Sequence, residues 1–305
     1  MENMVVRVDD KQINISNPDK PLWPEPRITK FDYINYLLSV SDFLLPYTRN
    51  RLLMIWCYPD GIGSKRIVRK AMPEFAPDWI PRAFFKDKQW ILLNDRATLV
   101  WVANLAALEL HVPFDTYLHI NYPTELVFDL DPMDVENFDL VREVALELEE
   151  LLYSLGLFCV LKTSGATGLQ IYVPIEPKYP FEDARKINEF IAKYMVEKNP
   201  TKITLERVVK KRGKKLYFDY LQLWKMRTLP APYSVRALSG GTVSVPVTWE
   251  EVRRGFRNTD FTVFNTAGRI RQIGDLFSPV TTEKEKYKQN LDEILAFIKA
   301  RFYTN

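Results

Sequence analysis

Apolar residues follow two different spacings along this chain, and the spacings predict helices and strands. After Thr29, which suits a helix N-cap, apolar side chains recur every three or four positions from Tyr33 to Leu44. Similar spacing, or a richness in alanine and leucine, predicts further helices over residues 97–110, 135–155, 184–196, 249–254 and 283–302. Short apolar runs predict strands over residues 12–15, 52–57, 126–130, 157–162, 169–174 and 216–221.

The order of these elements predicts an α/β fold with a mixed sheet. The strand at residues 126–130, the helix at 135–155 and the strand at 157–162 form a βαβ unit, and Gly156 ends its helix. The chain has no internal repeat and no low-complexity linker. Its proline-rich stretches are therefore predicted to be ordered connecting loops and not domain boundaries.

Composition narrows the class of protein. The 305 residues are 47% hydrophobic and 13% aromatic, which excludes a mostly disordered chain and allows two domains or one large α/β domain. A net charge of +3 excludes a basic tail but not a local basic surface. Two cysteines, Cys57 and Cys159, are too few for a disulfide framework or a cysteine zinc site. Because the only histidines are His111 and His119, a metal centre must rest mainly on carboxylates.

Neither a signal sequence nor a membrane span is predicted. The first ten residues, MENMVVRVDD, contain no apolar core of a secretory signal. The longest uncharged apolar stretch, residues 97–108, falls short of the roughly 20 residues needed to span a bilayer. We therefore expect a soluble, cytoplasmic protein.

Three aspartates are candidate metal ligands. Asp129 and Asp131 alternate with apolar residues in a predicted strand, so both carboxylates point to one face, and hard divalent cations prefer such oxygen ligands. The competing interpretation is two solvated acids that cap the next helix. Asp219 is an acid within an apolar and aromatic strand, where a buried partner such as an arginine is the alternative to a metal.

Two loops are candidate anion sites. Small residues between Lys162 and Gln170 could present backbone N–H groups to a phosphate, unless the loop is an ordinary hairpin turn. In the proline-bracketed loop near the N-terminus, Asn17 and Lys20 precede Lys30, which starts a helix. An amide, two ammonium groups and a helix N-terminus suit a phosphate, although such lysines are often only solvated. A basic turn at residues 210–215 could attract polyphosphate or nucleic acid.

Short motifs in one particular order are spread over nearly the whole chain. They lie at residues 16–20, 29–30, 58–61, 76–79, 101–104, 108–111, 127–132, 163–165, 204–207, 218–222, 231–236 and 247–249. In this order they resemble the archaeo-eukaryotic primase superfamily, and within it the polymerase domain of bacterial ligase D and the stand-alone primase-polymerases of non-homologous end joining. The resemblance implies a primase-like, RRM-related mixed-sheet catalytic core with a packed N-terminal α/β portion. We expect one catalytic domain over residues 1–305, with the N-terminal portion at 1–120 and the core and C-terminal helix at 121–305.

The resemblance also implies roles for individual residues. The metal ligands for two Mn²⁺ or Mg²⁺ ions would be Asp129, Asp131 and Asp219. The nucleotide would be bound by His111, Ser164, Thr167, Gln170, Arg212, Gln222 and Arg236. The 5′-phosphate of the downstream DNA strand would be held by Asn17, Lys20 and Lys30, and the template would be contacted by Ile67, Val68 and Lys70.

At three places the chain departs from the family pattern, and the departures affect the expected nucleotide and template contacts. Thr167 stands where the family usually has a lysine and Gln170 where it usually has a histidine, so two charged groups become neutral, and Lys162 could substitute in part. Ile67 and Val68 stand where two phenylalanines often pack on the template.

The expected activity is DNA-dependent addition of NTPs or dNTPs to primer 3′ ends, at gaps or broken ends in end-joining repair. Expected partners are DNA with a 5′-phosphate, the nucleotide, and a separate DNA ligase and Ku. Two alternatives are a 5′-phosphate end-binding or synapsis module with little catalysis, and a primase that starts primers de novo.

Overall fold

The computed structural model describes residues 3–134 and 136–302, and its backbone divides into two compact units. The first unit comprises Met1–Pro113, Thr228–Val245 and Thr259–Asp275, and the second comprises Phe114–Arg227, Pro246–Asn258 and Leu276–Asn305. The chain thus leaves the first unit after residue 113 and returns to it twice, and the predicted division into portions 1–120 and 121–305 stays a prediction. That residues 1–305 act as one catalytic domain stays a prediction.

Short strands and helices alternate along much of the chain. The strands are β1 (Asn3–Val8), β2 (Lys11–Ser16), β3 (Pro21–Trp23), β4 (Ile28–Thr29), β5 (Met54–Cys57), β6 (Ile67–Arg69), β7 (Arg82–Phe85), β8 (Lys88–Ile91), β9 (Ala107–Pro113), β10 (Glu125–Asp131), β11 (Val160–Thr163), β12 (Leu169–Pro174), β13 (Ile203–Thr204), β14 (Leu216–Asp219), β15 (Thr228–Pro230) and β16 (Pro246–Val247). The α-helices are α1 (Lys30–Thr48), α2 (Arg96–Asn104), α3 (Phe138–Ser154), α4 (Phe181–Lys198), α5 (Trp249–Arg254), α6 (Thr266–Ile273), α7 (Lys284–Tyr287) and α8 (Asp292–Phe302).

The first unit contains a four-stranded antiparallel sheet in the order β15-β9-β5-β6. Helix α1 begins where the sequence predicts, because Thr29 and Asp32 form a reciprocal capping box. The Thr29 hydroxyl accepts from the Asp32 backbone N–H at 3.1 Å, and the Asp32 carboxylate accepts from the Thr29 N–H at 2.9 Å. The predicted apolar face of α1 is buried, and the Tyr33 hydroxyl donates to the Ala107 carbonyl of β9 at 2.6 Å. The cap therefore fixes the first turn, where Lys30 lies.

The second unit contains a six-stranded sheet in the order β13-β14-β10-β12-β11-β16. Strand β12 is antiparallel to both β10 and β11, so these two run parallel with β12 between them. Because α3 connects β10 to β11 and α4 follows β12, the arrangement is a split βαβ sheet. The predicted βαβ unit and mixed sheet are confirmed. Phe128 and Leu130 of β10 are fully buried on one face, and Asp129 and Asp131 alternate onto the other.

The predicted helix over residues 97–110 is wrong in its second half. Helix α2 ends at Asn104, Ala106 adopts a left-handed backbone with a φ of 53°, and the chain continues as β9. All seven residues of β9 are buried. Residues 108–112 do alternate between apolar and polar side chains, which is a strand pattern, but they directly follow the alanine- and leucine-rich run of α2, and the helix prediction extends across them.

The C-terminal segment also differs from its prediction. Residues 283–302 form two helices, α7 and α8, and not one. Between them, the Gln289 backbone N–H donates to the Pro174 carbonyl at 3.0 Å, so pairing with the end of β12 interrupts the helix. The predicted strand at 216–221 ends at Asp219 and passes into a 3₁₀ turn. Val135, where the third predicted helix begins, lies outside the described residues.

Candidate active site

Four polar side chains form one row across the sheet of the second unit. Lys162 of β11 lies opposite Gln170 of β12, Gln170 lies opposite Asp129 of β10, and Asp129 lies opposite Asp219 of β14. Directly paired residues project on the same face, and Asp131 shares it because it lies two residues after Asp129. The structure thus brings the three predicted aspartates to one face of one sheet.

Asp129 is the most constrained of the three carboxylates, with only 6% of its surface exposed. Burial raises the pKa of the Asp129 carboxyl well above its ordinary value, and repulsion from Asp131 and Asp219 raises it further. This environment contradicts the interpretation of Asp129 as a solvated acid. The N-cap of α3 is Asn137, so the aspartates do not cap that helix either. A nearby cation would relieve the repulsion among these carboxylates.

The donor set fits a hard divalent cation in an open site. All three candidate ligands offer carboxylate oxygens, the ligand type that Mg²⁺ and Mn²⁺ prefer. Among residues 3–134 and 136–302, no three His, Cys, Asp or Glu side chains are close enough to enclose a metal by themselves. Mg²⁺ is commonly held by one or two carboxylates together with substrate phosphates and water, and the row agrees with that incomplete arrangement.

Lys162 and Gln170 connect the row to Asp129. The Lys162 ammonium is fully buried and donates to the Gln170 side-chain carbonyl at 2.5 Å. The Gln170 amide nitrogen donates to Asp129 Oδ1 at 3.0 Å. Gln170, predicted to bind the nucleotide, is 2% exposed and bonded to these two partners. A nucleotide contact by Gln170 stays a prediction.

The loop between β11 and β12 is a hairpin turn organised by Ser164. Its hydroxyl oxygen accepts the backbone N–H groups of Ala166 and Thr167 at 3.1 Å and of Gly168 at 2.9 Å. These three N–H groups, which the sequence suggests for an anion, are bonded to Ser164 in the structure. A Cβ on Gly168 would lie 2.1 Å from the carbonyl oxygen of Leu130, so only glycine lets the loop approach β10 this closely.

Tyr217 connects Arg212 with Asp219. Its guanidinium stacks over Tyr217 at 3.7 Å from the ring centroid, and the Tyr217 hydroxyl donates to Asp219 Oδ1 at 3.1 Å. The guanidinium also donates to the backbone carbonyl of Glu206 at 2.8 Å. The Asp219 partner is thus a tyrosine, with the arginine one step away. Gln222 lies in the 3₁₀ turn that follows Asp219 and is half-buried.

The two nucleotide-binding candidates of the first unit meet at Glu109. The His111 Nε2 atom and the Arg236 Nε atom lie 2.9 Å and 3.1 Å from Glu109 Oε2, and the Ala237 backbone N–H donates to Oε1 at 3.1 Å. Burial acts to raise the pKa of the Glu109 carboxyl, but these partners outweigh burial and hold the pKa below its ordinary value. The Trp56 ring stacks on His111 at a centroid distance of 4.4 Å. Glu109 therefore fixes both side chains.

The three predicted 5′-phosphate residues line one cavity of about 310 Å³ in the first unit. The cavity is lined by Ser16, Asn17, Lys20, Lys30, Cys57, Pro59, Arg69, Asn104, Leu105 and Ala106. Asn17 adopts a left-handed backbone with a φ of 50°, and its carbonyl accepts from the Lys20 backbone N–H at 3.1 Å. Arg69 adds a third basic side chain that the sequence pattern does not single out.

The two lysines of this cavity differ in their surroundings. Lys30 is 5% exposed, and its ammonium donates to the carbonyls of Ser16 and Asn104 at 2.5 and 3.0 Å. Burial lowers the pKa of Lys30 to about 8, with a smaller contribution from the charge of Lys20. Lys20 is more exposed and forms an ion pair with Asp60 at 2.8 Å. Lys30 therefore supports the cavity wall, whereas Lys20 is held only at the surface.

Comparison with known families decides the relationship. The sequence model of the family described as LigD, primase-polymerase domain, matches residues 29–277. The chain belongs to this family. Membership of the LigD primase-polymerase family implies a nucleotidyltransferase, as the motifs predict.

Individual LigD relatives agree with this assignment. The bifunctional non-homologous end joining protein LigD of Bacillus subtilis is 36% identical over 264 residues, covering 86% of this chain and 43% of the relative. A multifunctional non-homologous end joining DNA repair protein LigD of Mycobacterium tuberculosis is 28% identical over 302 residues, covering 93% and 40%. The chain spans less than half the length of these curated relatives.

A solved LigD structure confirms the fold. The polymerase domain from Mycobacterium tuberculosis ligase D, in complex with DNA, superposes with a TM-score of 0.80 at 28% identity. The superposition covers 88% of this chain and 97% of that chain. The primase-like α/β fold predicted from the sequence is therefore confirmed. Among the residues described in this LigD homologue, no helix is long and apolar enough to cross a membrane.

The predicted template contacts of this LigD homologue lie on and just after the edge strand β6. Ile67 and Val68 are 38% and 42% exposed, and Lys70 directly follows the strand. Because neighbouring residues of a strand face opposite sides, Ile67 and Val68 cannot both lie against one base plane. Val68 is paired with Trp56, the ring that stacks on His111. Template contact by these residues stays a prediction.

Proposed function

We propose that this chain is a DNA-dependent primase-polymerase that adds NTPs or dNTPs to primer 3′ ends at gaps or broken ends in non-homologous end-joining repair. The observation that carries the proposal is the carboxylate row, with Asp129 opposite Asp219 and Asp131 on the same face. The row lies in the fold of a polymerase domain that was solved with DNA. In this reaction the primer 3′-hydroxyl attacks the α-phosphate of the nucleotide, and pyrophosphate leaves.

The three carboxylates would hold two divalent ions, Mn²⁺ or Mg²⁺. Asp129, Asp131 and Asp219 would each supply carboxylate oxygens as ligands. When bound, the ions stabilise charge on the phosphates and lower the pKa of the attacking hydroxyl. Gln170 holds one oxygen of Asp129, and Tyr217 holds one oxygen of Asp219, so the protein orients its ligands before substrate arrives.

We assign nucleotide binding to the residues that the family pattern implies: His111, Ser164, Thr167, Gln170, Arg212, Gln222 and Arg236. Support for Arg212 comes from its stacking on Tyr217, the residue whose hydroxyl donates to Asp219. Ser164 acts by closing the loop that carries Thr167. The positions of His111 and Arg236 are set by Glu109.

Substitution of the carboxylates tests the activity. Asp129→Ala and Asp219→Asn should each abolish primer extension with Mn²⁺ or Mg²⁺, while binding of gapped DNA changes little. Glu149→Gln is the matched control, because it removes a carboxylate of α3 that pairs with Arg253 of α5 and is not part of the row. Wild-type extension rates in either aspartate variant would show that the row is not the catalytic site.

The cavity of Asn17, Lys20 and Lys30 supports a role at gaps and processed ends. A terminal 5′-phosphate carries more charge than a phosphodiester, so the basic side chains that line this cavity can distinguish the two. The expected partners are DNA with a 5′-phosphate, the nucleotide, a DNA ligase activity and Ku. The same cavity is the observation that favours the second candidate, an end-binding module with little catalysis.

One assay separates the candidates. Extension is measured on gapped DNA with and without a 5′-phosphate, beside primer synthesis on single strands. The repair polymerase extends phosphorylated gaps best, the end-binding module binds them without extension, and the de novo primase needs no primer. Lys20→Ala should reduce the preference for the phosphorylated gap about tenfold or more, the size of one charge-assisted contact, and spare extension of a simple primer-template.

A further inference from the structure

A fully buried lysine lies in the carboxylate row without being a ligand of any expected kind. Lys162 has 0% of its surface exposed, and its ammonium lies 5.7 Å from the centroid of the Tyr172 ring. Removing a charge from water is costly unless the charge is paired and hydrogen-bonded. A buried ammonium at the end of a row of carboxylates therefore requires a physical reason.

The chemistry of the Gln170 amide supplies that reason. An ammonium can only donate hydrogen bonds, and a carboxylate can only accept them. Gln170 lies between Lys162 and Asp129, so its carbonyl must face Lys162 and its nitrogen must face Asp129, as observed at 2.5 and 3.0 Å. The reversed amide would place N–H groups against the ammonium and an oxygen against the carboxylate. Lys162 thus selects one orientation of Gln170.

We propose that Lys162, acting through Gln170, is a positioning residue for Asp129. By fixing the amide, Lys162 fixes Oδ1 of Asp129, so the carboxylate meets a divalent cation already ordered. This inference rests on the proposed function, because it concerns the ligands of the proposed metal site. It explains how a neutral glutamine serves at a position where a histidine is usual: the missing charge lies one residue further along the row.

Mn²⁺ binding by the purified chain tests the first step, with the dissociation constant measured by electron paramagnetic resonance in the absence of nucleotide. Gln170→Leu leaves the charge of the chain unchanged and removes the donor to Asp129. It should weaken Mn²⁺ binding about tenfold, the size of one charge-assisted hydrogen bond. Gln170→His, whose ring can accept from Lys162 and donate to Asp129, should restore most of the affinity. Tyr172→Phe is the control, since it alters a buried polar group of the same strand face.

A double-mutant cycle tests the second step. In the wild-type background, Lys162→Met should weaken Mn²⁺ binding, because the Gln170 amide is then free to reverse. In the Gln170→Leu background, Lys162→Met only removes a positive charge, so Mn²⁺ binding should tighten or stay constant. A loss of affinity in the wild-type background without a loss in the Gln170→Leu background distinguishes positioning from a uniform electrostatic effect. Thermal melts of the metal-free variants check that each one folds.

The outcomes separate this inference from the proposed function. If the wild-type chain neither binds Mn²⁺ nor extends a primer, the proposed function and the positioning role are both overturned. If it does both, and Gln170→Leu binds Mn²⁺ as well as wild type, only the positioning role is overturned. An equal gain in affinity from Lys162→Met in both backgrounds would likewise show that Lys162 acts only as a charge. Should Lys162→Met not fold, the Gln170→Leu and Gln170→His pair still decides the matter.

Discussion

At the scale of single residues, the structure gives several side chains bonds that their predicted roles do not include. The family pattern places Ser164 at the nucleotide, and its hydroxyl oxygen accepts three backbone N–H groups that close the loop. The same pattern places Lys30 at a phosphate, and its ammonium ties Ser16 to Asn104. Ser164 and Lys30 therefore hold the structure together as well as offering a contact to a ligand. Substituting either one would disturb the fold, so function is better tested at neighbouring residues.

Glu109 gives a prediction of this kind. Glu109→Gln keeps the shape of the side chain but weakens its interactions with His111 and Arg236. If these two contact the nucleotide, the nucleotide KM should rise about tenfold or more, because a charge-assisted hydrogen bond is lost. Steady-state extension over a nucleotide series measures the KM. An unchanged KM would show that Glu109 has a purely structural role.

Lys30 predicts a pH dependence of end recognition. Its pKa of about 8 means that the ammonium is charged near pH 7 and neutral above about pH 9. The second ionisation of a terminal phosphate lies near pH 6, so the phosphate is fully charged before Lys30 loses its proton. The preference for 5′-phosphorylated over 5′-hydroxyl gaps should therefore be greatest near pH 7 and fall as the pH rises through 8. Dissociation constants of both DNAs from about pH 6.5 to 9.5 give the ratio.

The neighbours of Lys30 provide the control. Burial raises the pKa of the Cys57 thiol to about 11, so this cavity residue stays neutral over most of that range. Lys20 depresses the pKa of Lys30, so Lys20→Ala should move the fall to higher pH while lowering the ratio overall. A ratio that does not vary between about pH 7 and 9.5 would mean that the Lys30 charge plays no part in end recognition.

At the scale of elements, the most demanding contact is the approach of the β11–β12 loop to β10. Gly168→Ala would place a Cβ 2.1 Å from the Leu130 carbonyl oxygen, between the two metal-ligand candidates of that strand. The loop must move away, and we expect a destabilisation of about 1–3 kcal/mol together with loss of extension. Thermal unfolding and primer extension measure the two effects.

Gly213→Ala is the matched control for the loop. Gly213 also has a special backbone, with a φ of 62°, but a Cβ there meets nothing within 4 Å. Its substitution should cost about 1 kcal/mol of stability through backbone strain alone and leave extension unchanged. If Gly168→Ala lost no more stability than Gly213→Ala and kept full extension, the close approach of the loop to β10 would not be needed for activity.

The elements that sequence can predict are those whose pattern is local. Helix α5 matches its predicted bounds, and α1 starts at its predicted cap, because periodicity and capping chemistry lie within a few residues. Strand β9 is mistaken for a helix because its alternating residues directly follow the alanine- and leucine-rich run of α2, with no glycine or proline between them to mark the end of the helix. The same error conceals Glu109, although an acid two residues before His111, on the same face of a strand, is a usable signal.

The carboxylate row shows the same boundary between local and distant information. That Asp129 and Asp131 share a face follows from alternation alone. That Asp219 lies opposite Asp129, and Lys162 opposite Gln170, depends on strand order and register, which no single segment specifies. The family motifs predict the three aspartates together, but not the route from Lys162 through Gln170 to Asp129.

At the scale of the whole molecule, charge decides how DNA binding should respond to salt. A net charge of +3 spread over 305 residues gives little long-range attraction, so binding must rest on local basic groups such as the turn at residues 210–215. In that turn Lys210, Lys211 and Lys214 are exposed. Each phosphate contact contributes a slope of about 0.9 to the logarithm of affinity against the logarithm of salt concentration. Replacing the three lysines with glutamine should reduce the slope by up to about three units.

The 5′-end cavity should behave differently under the same titration. Among the described residues, the basic side chains that line it are Lys20, Lys30 and Arg69. The logarithm of the affinity ratio between phosphorylated and hydroxyl gaps should therefore fall against the logarithm of salt concentration with a slope of at most about three, and less where burial excludes salt. The triple lysine variant should lower affinity for both DNAs and leave this ratio intact, whereas Lys20→Ala should lower the ratio and leave the salt slope for hydroxyl gaps nearly unchanged. Fluorescence anisotropy with both gapped DNAs from about 50 to 200 mM salt measures the two affinities, their ratio and the salt slope. If the lysine variant erased the ratio, end recognition would belong to the general basic surface and not to the cavity.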